Sequence, residues 1–437
     1  PVLREEIADT WIHGIGTDPK KVAMIKELDR LSQTWDKEGL WENNSNPLAD
    51  GRLPRAAFLE ELLLVSEHTW GMDTKKFLAD FVNWSRADFD LARRRDTLKD
   101  SYGLGTAYES AFVFGKREFE ALKPKNLNWE QRSYSIFEKS HQEQRDLIKK
   151  AVEILPQPLR MQAEEKLEKF NKAAVAGVTG EYAKTSAVQM GGYVGMHEDD
   201  DIILRSPTGQ LLRMGLPIYQ EVGLDAYDRL EKHYLWHVEK NTDWAIPDNK
   251  KPGAENSDAP RPDIIHKPNL ELSAQQDGAW YLEGRFDERP QMLAGCPEGF
   301  RLSLKPYDEG IKVSLFLYNK PANRKPEAIF LPFGRESAAK LCLKKMGQWL
   351  DADHCIPGGN QRVHGVEDFK WQEKKDGIQV TCLHTPLLAI SQPKLLEFEG
   401  VSAYDRVYVN LYNNLWGTNF KMWYEEDIFC EFLIQEI

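Results

Sequence analysis

Cysteine is scarce in this 437-residue chain. Its five thiols, Cys296, Cys342, Cys355, Cys382 and Cys430, all fall in the last third, and none forms a C-x-x-C pair. An odd, sparse set makes a poor disulfide framework and no zinc ribbon. A basic excess is also lacking. Acidic residues outnumber basic ones 69 to 57, for a net charge of −12. That argues against a nucleic-acid partner, because phosphate binding needs a concentrated basic face. No apolar run approaches the ~18 residues of a membrane span, so no membrane partner is expected. No secretory apolar stretch opens the chain, and its first residue is Pro1 rather than Met, so a removed leader or missing upstream sequence is expected. Nucleophile-elbow, P-loop and dinucleotide fingerprints are absent, and Gly191-Gly192-Tyr193-Val194-Gly195 is a lone glycine-rich turn. There is no internal repeat and no low-complexity tract.

What is present begins with aromatic content. Thirteen tryptophans, 15 tyrosines and 19 phenylalanines bring it to 11%, which suits stacking on sugar rings, although β-rich folds also bury many aromatics. A prior of about one domain per ~150 residues gives about three domains. Asp18-Pro19 predicts a helix start, with Val22, Ile25, Leu28 and Leu31 on its apolar face. A second helix is expected from Pro54 to Val65. Residues 73–172 read as almost wholly helical, over Lys76–Leu98, Tyr108–Leu122, Trp129–Ile154 and Arg160–Lys172. From about Ala187 the pattern changes to strands and turns, as in Asp201–Arg205, Lys312–Tyr318 and Gln379–Leu383. A helical interlude at Tyr227–Val238 precedes a polar stretch, 241–261, expected to be a surface loop or insertion. The fold class expected is therefore α+β multidomain. Residues 1–72 form the end of an α/β barrel, 73–186 a helical bundle, and 187–437 a large β-sandwich-type domain. A complete barrel needs ~200–250 residues, so most of it would lie upstream.

Three stretches carry a resemblance. The first is Asp9-Thr10-Trp11-Ile12-His13-Gly14-Ile15-Gly16-Thr17-Asp18-Pro19-Lys20. The second is the apolar helix ending in Glu67-His68-Thr69-Trp70-Gly71. The third is Asn410-Leu411-Tyr412-Asn413-Asn414-Leu415-Trp416-Gly417-Thr418-Asn419-Phe420, with support from Tyr227-Asp228-Arg229 and Trp244-Ala245-Ile246-Pro247-Asp248. With the domain order, they make the chain resemble the C-terminal two-thirds of a glycoside hydrolase family 38 α-mannosidase-like protein. The family's histidine doublet reads Glu67-His68 here, and the acid that usually follows it is Thr69.

The resemblance implies a retaining glycosidase in which one carboxylate attacks the anomeric carbon and a second protonates the leaving oxygen. It also implies zinc, with His68 as one ligand, oriented by Glu67 or Asp73. The remaining ligands, a His-x-Asp pair, and the nucleophile would lie upstream, so no catalytic residue is assigned here and the chain alone is expected to be inactive. Asp9, Trp11, His13, Trp70, Asp73, Trp416 and Asn419 are the expected contacts to a carbohydrate substrate. On an extended strand Asp9, Trp11 and His13 would share one face. The alternative is a non-catalytic carbohydrate-binding or assembly protein on the same scaffold. A plain structural account also exists for each residue: a helix-end histidine for His68, a core indole for Trp11, a rim plug for Trp70 and a β-turn for Trp416–Asn419. His233 and His237, four apart, read as solvated helix residues. Glu198-Asp199-Asp200-Asp201 lacks the spacing of a calcium loop and reads as a turn.

Overall fold

The computed structural model describes residues 11–66, 70–78, 80–96, 133–171, 183–235, 249–251, 253–335, 339–356, 358–398 and 400–437. It is a mixed helix and sheet protein with two large antiparallel sheets.

Helices dominate the described residues before 171. Asp18 caps the helix Pro19–Lys37 by accepting from the Lys21 amide at 3.2 Å, and Pro19 sits in the first turn. Pro54 opens the next long helix, Pro54–Val65. Ser133 caps Tyr134–Ile154, and Gln157–Glu168 follows with Pro158 in its first turn. These helices share one apolar core around Leu28, Trp35, Trp41, Phe58, Ile148 and Leu159.

Two expectations are corrected here. Lys76–Leu98 is not one helix: a π-turn at Thr74–Leu78 ends, and a helix restarts only at Arg86–Arg95. The cause is Asp80, whose carboxylate accepts from the Val82 and Asn83 amides and from the Asn83 side chain. Such local bonds compete with helix, and Ser85 then caps the restart. Nor do residues 11–17 form a strand. They form a 3-10 turn, tied by Thr17 Oγ1 donating to the Gly14 carbonyl at 2.8 Å. Among the described residues, 11–66 hold no strand, and the barrel and bundle arrangements are not seen.

The first sheet runs, edge to edge, through Ala183–Lys184, Asn269–Gln276, Ala279–Arg285, Gly299–Tyr307, Gly310–Tyr318, Ile428–Glu436, Asp376–Cys382, Asp368–Glu373, Lys340–Lys345 and Gln348–Asp351. The strand Ile428–Glu436 therefore lies mid-sheet, paired on both sides. The second sheet runs through Val363–Gly365, Leu387–Ile390, Arg406–Asn413, Glu327–Gly334, Leu211–Gly215, Asp201–Arg205, Tyr193–Glu198 and Ala187–Met190. Ile218–Glu221 also pairs with Glu327–Gly334, and Ile264–His266 pairs with Ile218–Glu221.

The facing sides share one core, built by two-residue periodicity: Ile329, Leu331 and Phe333 with Val407, Val409 and Leu411 from one sheet, and Val313, Leu315, Phe432 and Ile434 from the other. The opposite side of the second sheet is covered as well. Ala328, Phe330 and Ala389 pack there under Leu224, Tyr227 and Leu415. Part of the expected surface loop also turns inward. From Asn249 on, Lys251 and Ala254 are buried, and a Cβ on Gly253 would lie 1.9 Å from the Phe81 carbonyl; residues 241–248 lie outside the described residues.

Candidate functional site

The 3-10 turn 11–17 lies on the second sheet because two asparagines hold it there. Asn413 Nδ2 donates to the His13 carbonyl at 2.8 Å and to Asn410 Oδ1 at 2.9 Å. A Cβ on Gly16 would come within 2.3–2.4 Å of these two side chains, and one on Gly14 within 2.3–2.6 Å of the Phe420 ring. Both glycines thus serve close approach. The His13 ring stacks on Trp416 at 4.3 Å and 9°. Phe420 then links Trp416, at 6.3 Å, to Trp70, which meets it edge-on at 5.7 Å. The Lys21 ammonium lies 3.3 Å from the Trp70 ring centroid. Thr74 donates its amide and hydroxyl to the Thr418 carbonyl at 3.4 and 3.0 Å.

The helix Tyr134–Ile154 supplies the opposite wall. His141 Nδ1 donates to the Trp70 carbonyl at 2.8 Å, and its buried Nε2 has no hydrogen-bond partner. Burial, with Lys421 and Lys21 nearby, lowers its pKa to about 4, against the smaller upward effects of the Trp70 carbonyl and Asp18, so the ring is neutral and Nε2 offers a lone pair. One turn further on, Arg145 grips Asp18 through two bonds, at 2.6 and 2.8 Å, and also binds Glu426. Burial pushes the Asp18 carboxyl up, but Arg145 and Lys421 outweigh it and hold it well below the usual carboxylate range.

Beside Thr74 lies a second buried charge group. Arg324 pairs with Asp80 at 3.3 Å, donates to the Asp80 and Asn83 carbonyls, and lies 4.4 Å from the Trp84 ring centroid. The Tyr134 hydroxyl donates to Asp80 at 2.5 Å. Lys251 donates weakly to the Arg324 carbonyl at 3.3 Å and to Met422 Sδ at 3.9 Å. Burial, with a smaller contribution from Arg324, lowers the pKa of this lysine to about 7, which makes it an amine able to exchange a proton near neutrality. These groups and Gly417 surround a cavity of about 10 Å³, one water in size.

Of the residues expected to contact substrate, the structure brings His13, Trp70 and Trp416 into one cluster. All three are buried, and one side of each indole is covered by protein, by Lys21 and by His13. Asp73 and Asn419 are half-buried at its margin; the Asp73 carbonyl accepts from the Phe77 amide, and Thr418 lies beside Asn419. Asp9 and His68, with Glu67, lie outside the described residues; the Trp11 backbone begins the turn, and its side chain lies outside what is described. The sequence reading missed His141, Lys251 and the Asp80–Arg324 pair. Asp80 and Arg324 stand 244 residues apart, so no local pattern marks them. Among the described residues, the only group of three or more His, Cys, Asp or Glu ligand atoms close enough to share an ion is Asp351, Asp353 and His354, on and just after a first-sheet edge strand.

The architecture is that of a two-sheet antiparallel protein with a helical segment before it. A family model described as a domain of unknown function, DUF5054, matches residues 15–312, and the chain belongs to that family. No curated protein matches it in sequence. Among solved structures, an α-mannosidase from Enterococcus faecalis V583 is 7% identical with a TM-score of 0.36, over 60% of this chain and 30% of that one. A glycosyl hydrolase family 38 protein from Enterococcus faecalis is 8% identical with a TM-score of 0.35, over 60% and 32%. A putative aldose 1-epimerase from Escherichia coli K12 is 10% identical with a TM-score of 0.22, over 39% and 68%. The chain spans about a third of the two longer structures. These likenesses are too loose to align side chains.

Proposed function

We propose that the intact protein is a retaining glycoside hydrolase of the α-mannosidase type, and that this chain supplies one wall of its sugar pocket. One observation carries the reading. Three stretches far apart in sequence that resemble that family converge, with His13 on Trp416 and Trp70 on Phe420, and Thr74, three residues past the second stretch, bonds Thr418. In this proposal Trp70, Trp416 and His13 form the rigid backing of the pocket. Asp73 and Asn419, half-buried, supply hydrogen bonds to sugar hydroxyls, and Asp9 and Trp11 join them from the preceding segment.

His68 is the proposed zinc ligand contributed by this chain. The described residues of the cluster offer one further donor, the His141 Nε2 lone pair, and do not by themselves make a zinc cage; the other ligands and both catalytic carboxylates belong to sequence outside these 437 residues. Bound zinc would hold sugar hydroxyls and favour ring distortion. His141 holds the Trp70 carbonyl, one residue beyond the Glu67–Thr69 segment, and so positions the chain leaving it.

The test is to express the intact protein and assay aryl α-mannosides with and without a chelator, measuring bound zinc in parallel. The expected result is chelator-sensitive release of the aryl group and loss of both zinc and activity in His68→Ala. The burial of both indoles favours one competing reading, a non-catalytic carbohydrate-binding or assembly protein in which the cluster is a joint. Unchanged metal content in His68→Ala, with no hydrolysis by the intact protein, would establish that reading instead.

A further inference from the structure

We propose that the outer face of the second sheet carries a binding site for a neutral sugar ring, separate from the Trp416 cluster and independent of any catalytic reading. The site begins with a proline in a central strand. Pro332 lies within Glu327–Gly334, flanked by partner strands on both sides, where its missing N–H interrupts the ladder. The partner strand Leu211–Gly215 pairs only with Phe333 and Gly334, and Ile218–Glu221 pairs with Glu327–Phe330. Between them the face opens. Gly215 lies close by, where a Cβ would meet the Pro332 ring at a tight 3.0–3.3 Å.

The result is a cleft of about 330 Å³, within the ~300–1,000 Å³ of small-molecule sites. Its floor is apolar: Pro332, Leu216, Ile218 and the half-buried ring of Tyr408. Phe330 meets that ring edge-on at 6.4 Å and 86°, which fixes its plane. Its rim is polar and internally paired. Asp201 binds Arg406 at 3.3 Å and Arg213 at 3.7 Å, and Asp200 binds Lys267 at 2.6 Å. The lining sets three carboxylates, Asp199, Asp200 and Asp201, against Lys267 and Arg406, while Arg213, just outside it, bridges Asp201 and Glu198; two of the three acids are thus held by cations and a single negative charge is left over.

Paired planar carboxylate and guanidinium groups still present spare acceptors and donors at fixed angles. A sugar matches both parts of this surface. Its C–H face is apolar and suits the Tyr408 and proline floor, while each hydroxyl both donates and accepts. The Asp199-Asp200-Asp201 run, which lacks calcium-loop spacing, thereby gains a role as a hydroxyl acceptor row. Along the strand Tyr408 lies five residues from Asn413, about 17 Å, so this cleft and the Trp416 cluster can be altered separately.

The test is heteronuclear NMR or calorimetric titration of this chain with methyl α-mannopyranoside, methyl β-glucopyranoside, mannobiose and cellobiose, without added metal. Saturable binding of at least one of them is expected, with a dissociation constant on the order of 1 mM. Tyr408→Ala is expected to weaken it tenfold or more. Asp200→Ala, at an exposed rim position that does not threaten folding, is expected to weaken it several-fold. A circular dichroism spectrum and urea midpoint like those of the parent exclude misfolding as the cause. The proposal is overturned if no glycoside binds at 50 mM, if binding survives both substitutions unchanged, or if a proline-rich peptide or calcium occupies the cleft instead. Failure of zinc binding or mannosidase activity in the intact protein would leave this result untouched.

Discussion

Replacing Lys251 with methionine is predicted to make the protein more stable. Lys251 is 4% exposed, and its ammonium has only one carbonyl, at 3.3 Å, and one thioether sulfur to bond. Its pKa falls from 10.5 to about 7 in the folded state. A lysine lowered in this way binds fewer protons folded than unfolded between those values, so stability rises with pH across that window. Relative to a neutral group, the cost is about 4 kcal/mol at pH 7 and about 1.4 kcal/mol at pH 9.5, from 1.36 kcal/mol per pKa unit. Losing the two weak bonds returns about 1 kcal/mol of that, and methionine conserves the unbranched stem beside Met422. A net gain of about 2–3 kcal/mol at pH 7 is expected. Urea unfolding followed by tryptophan fluorescence at pH 7 and 9.5 measures it. The wild-type chain is expected to gain stability on going to pH 9.5 and to close most of its gap to Lys251→Met. A variant less stable than wild type at pH 7, or a gap that does not narrow at pH 9.5, would refute the reasoning. Such a costly amine, if Lys251→Met also lowers activity of the intact protein, is one retained for function rather than folding.

Arg145→Met leaves Asp18 buried and without its bidentate partner, and is expected to cost about 3–5 kcal/mol at pH 7 in urea unfolding. Because the folded-state Asp18 carboxyl is held low, the pair's contribution is present above the unfolded carboxylate pKa and lost as pH falls through the lower folded value. The gap between wild type and Arg145→Met is therefore expected to shrink below about pH 4. Gly14→Ala forces a methyl into the Phe420 ring and is expected to cost about 1–3 kcal/mol, with much of it recovered when Phe420→Leu is added. His141→Phe keeps an aromatic ring against Phe137, 5.0 Å away, but loses the bond to the Trp70 carbonyl. It should cost about 1–3 kcal/mol by urea unfolding, and in the intact protein weaken zinc retention if the segment after Thr69 positions a ligand.

The parts of this fold that were legible in the sequence are those set by neighbours along the chain. Asp18-Pro19 and Pro54 announced two helix starts because capping and proline geometry act within one turn. Asp201–Arg205 and Lys312–Tyr318 read as strands because short apolar runs lie between turn signals, although both bury neighbours on the two faces, as at Ile202–Leu204 and Leu315–Leu317. The long helix from Lys76 failed for a related reason: Asp80 prefers the nearby amides of Val82 and Asn83, a choice stabilised by Arg324, 244 residues away. Trp11–Thr17 looks extended, yet it curls because Asn410, Asn413 and Phe420 leave room only for glycine at positions 14 and 16. At the candidate site, the converging stretches were visible one at a time. Their contact, the neutral His141 and the depressed Lys251 depend on burial, which composition does not encode.

The mid-sheet position of Ile428–Glu436 has a consequence for synthesis. During translation, at about 5–20 residues per second, Gly310–Tyr318 and Asp376–Cys382 emerge before the strand that joins them. Until residues 428–436 arrive, each half of that sheet ends in an open edge, the geometry that invites pairing between chains. A chain cut before Ile428 is therefore expected to aggregate rather than merely lose stability.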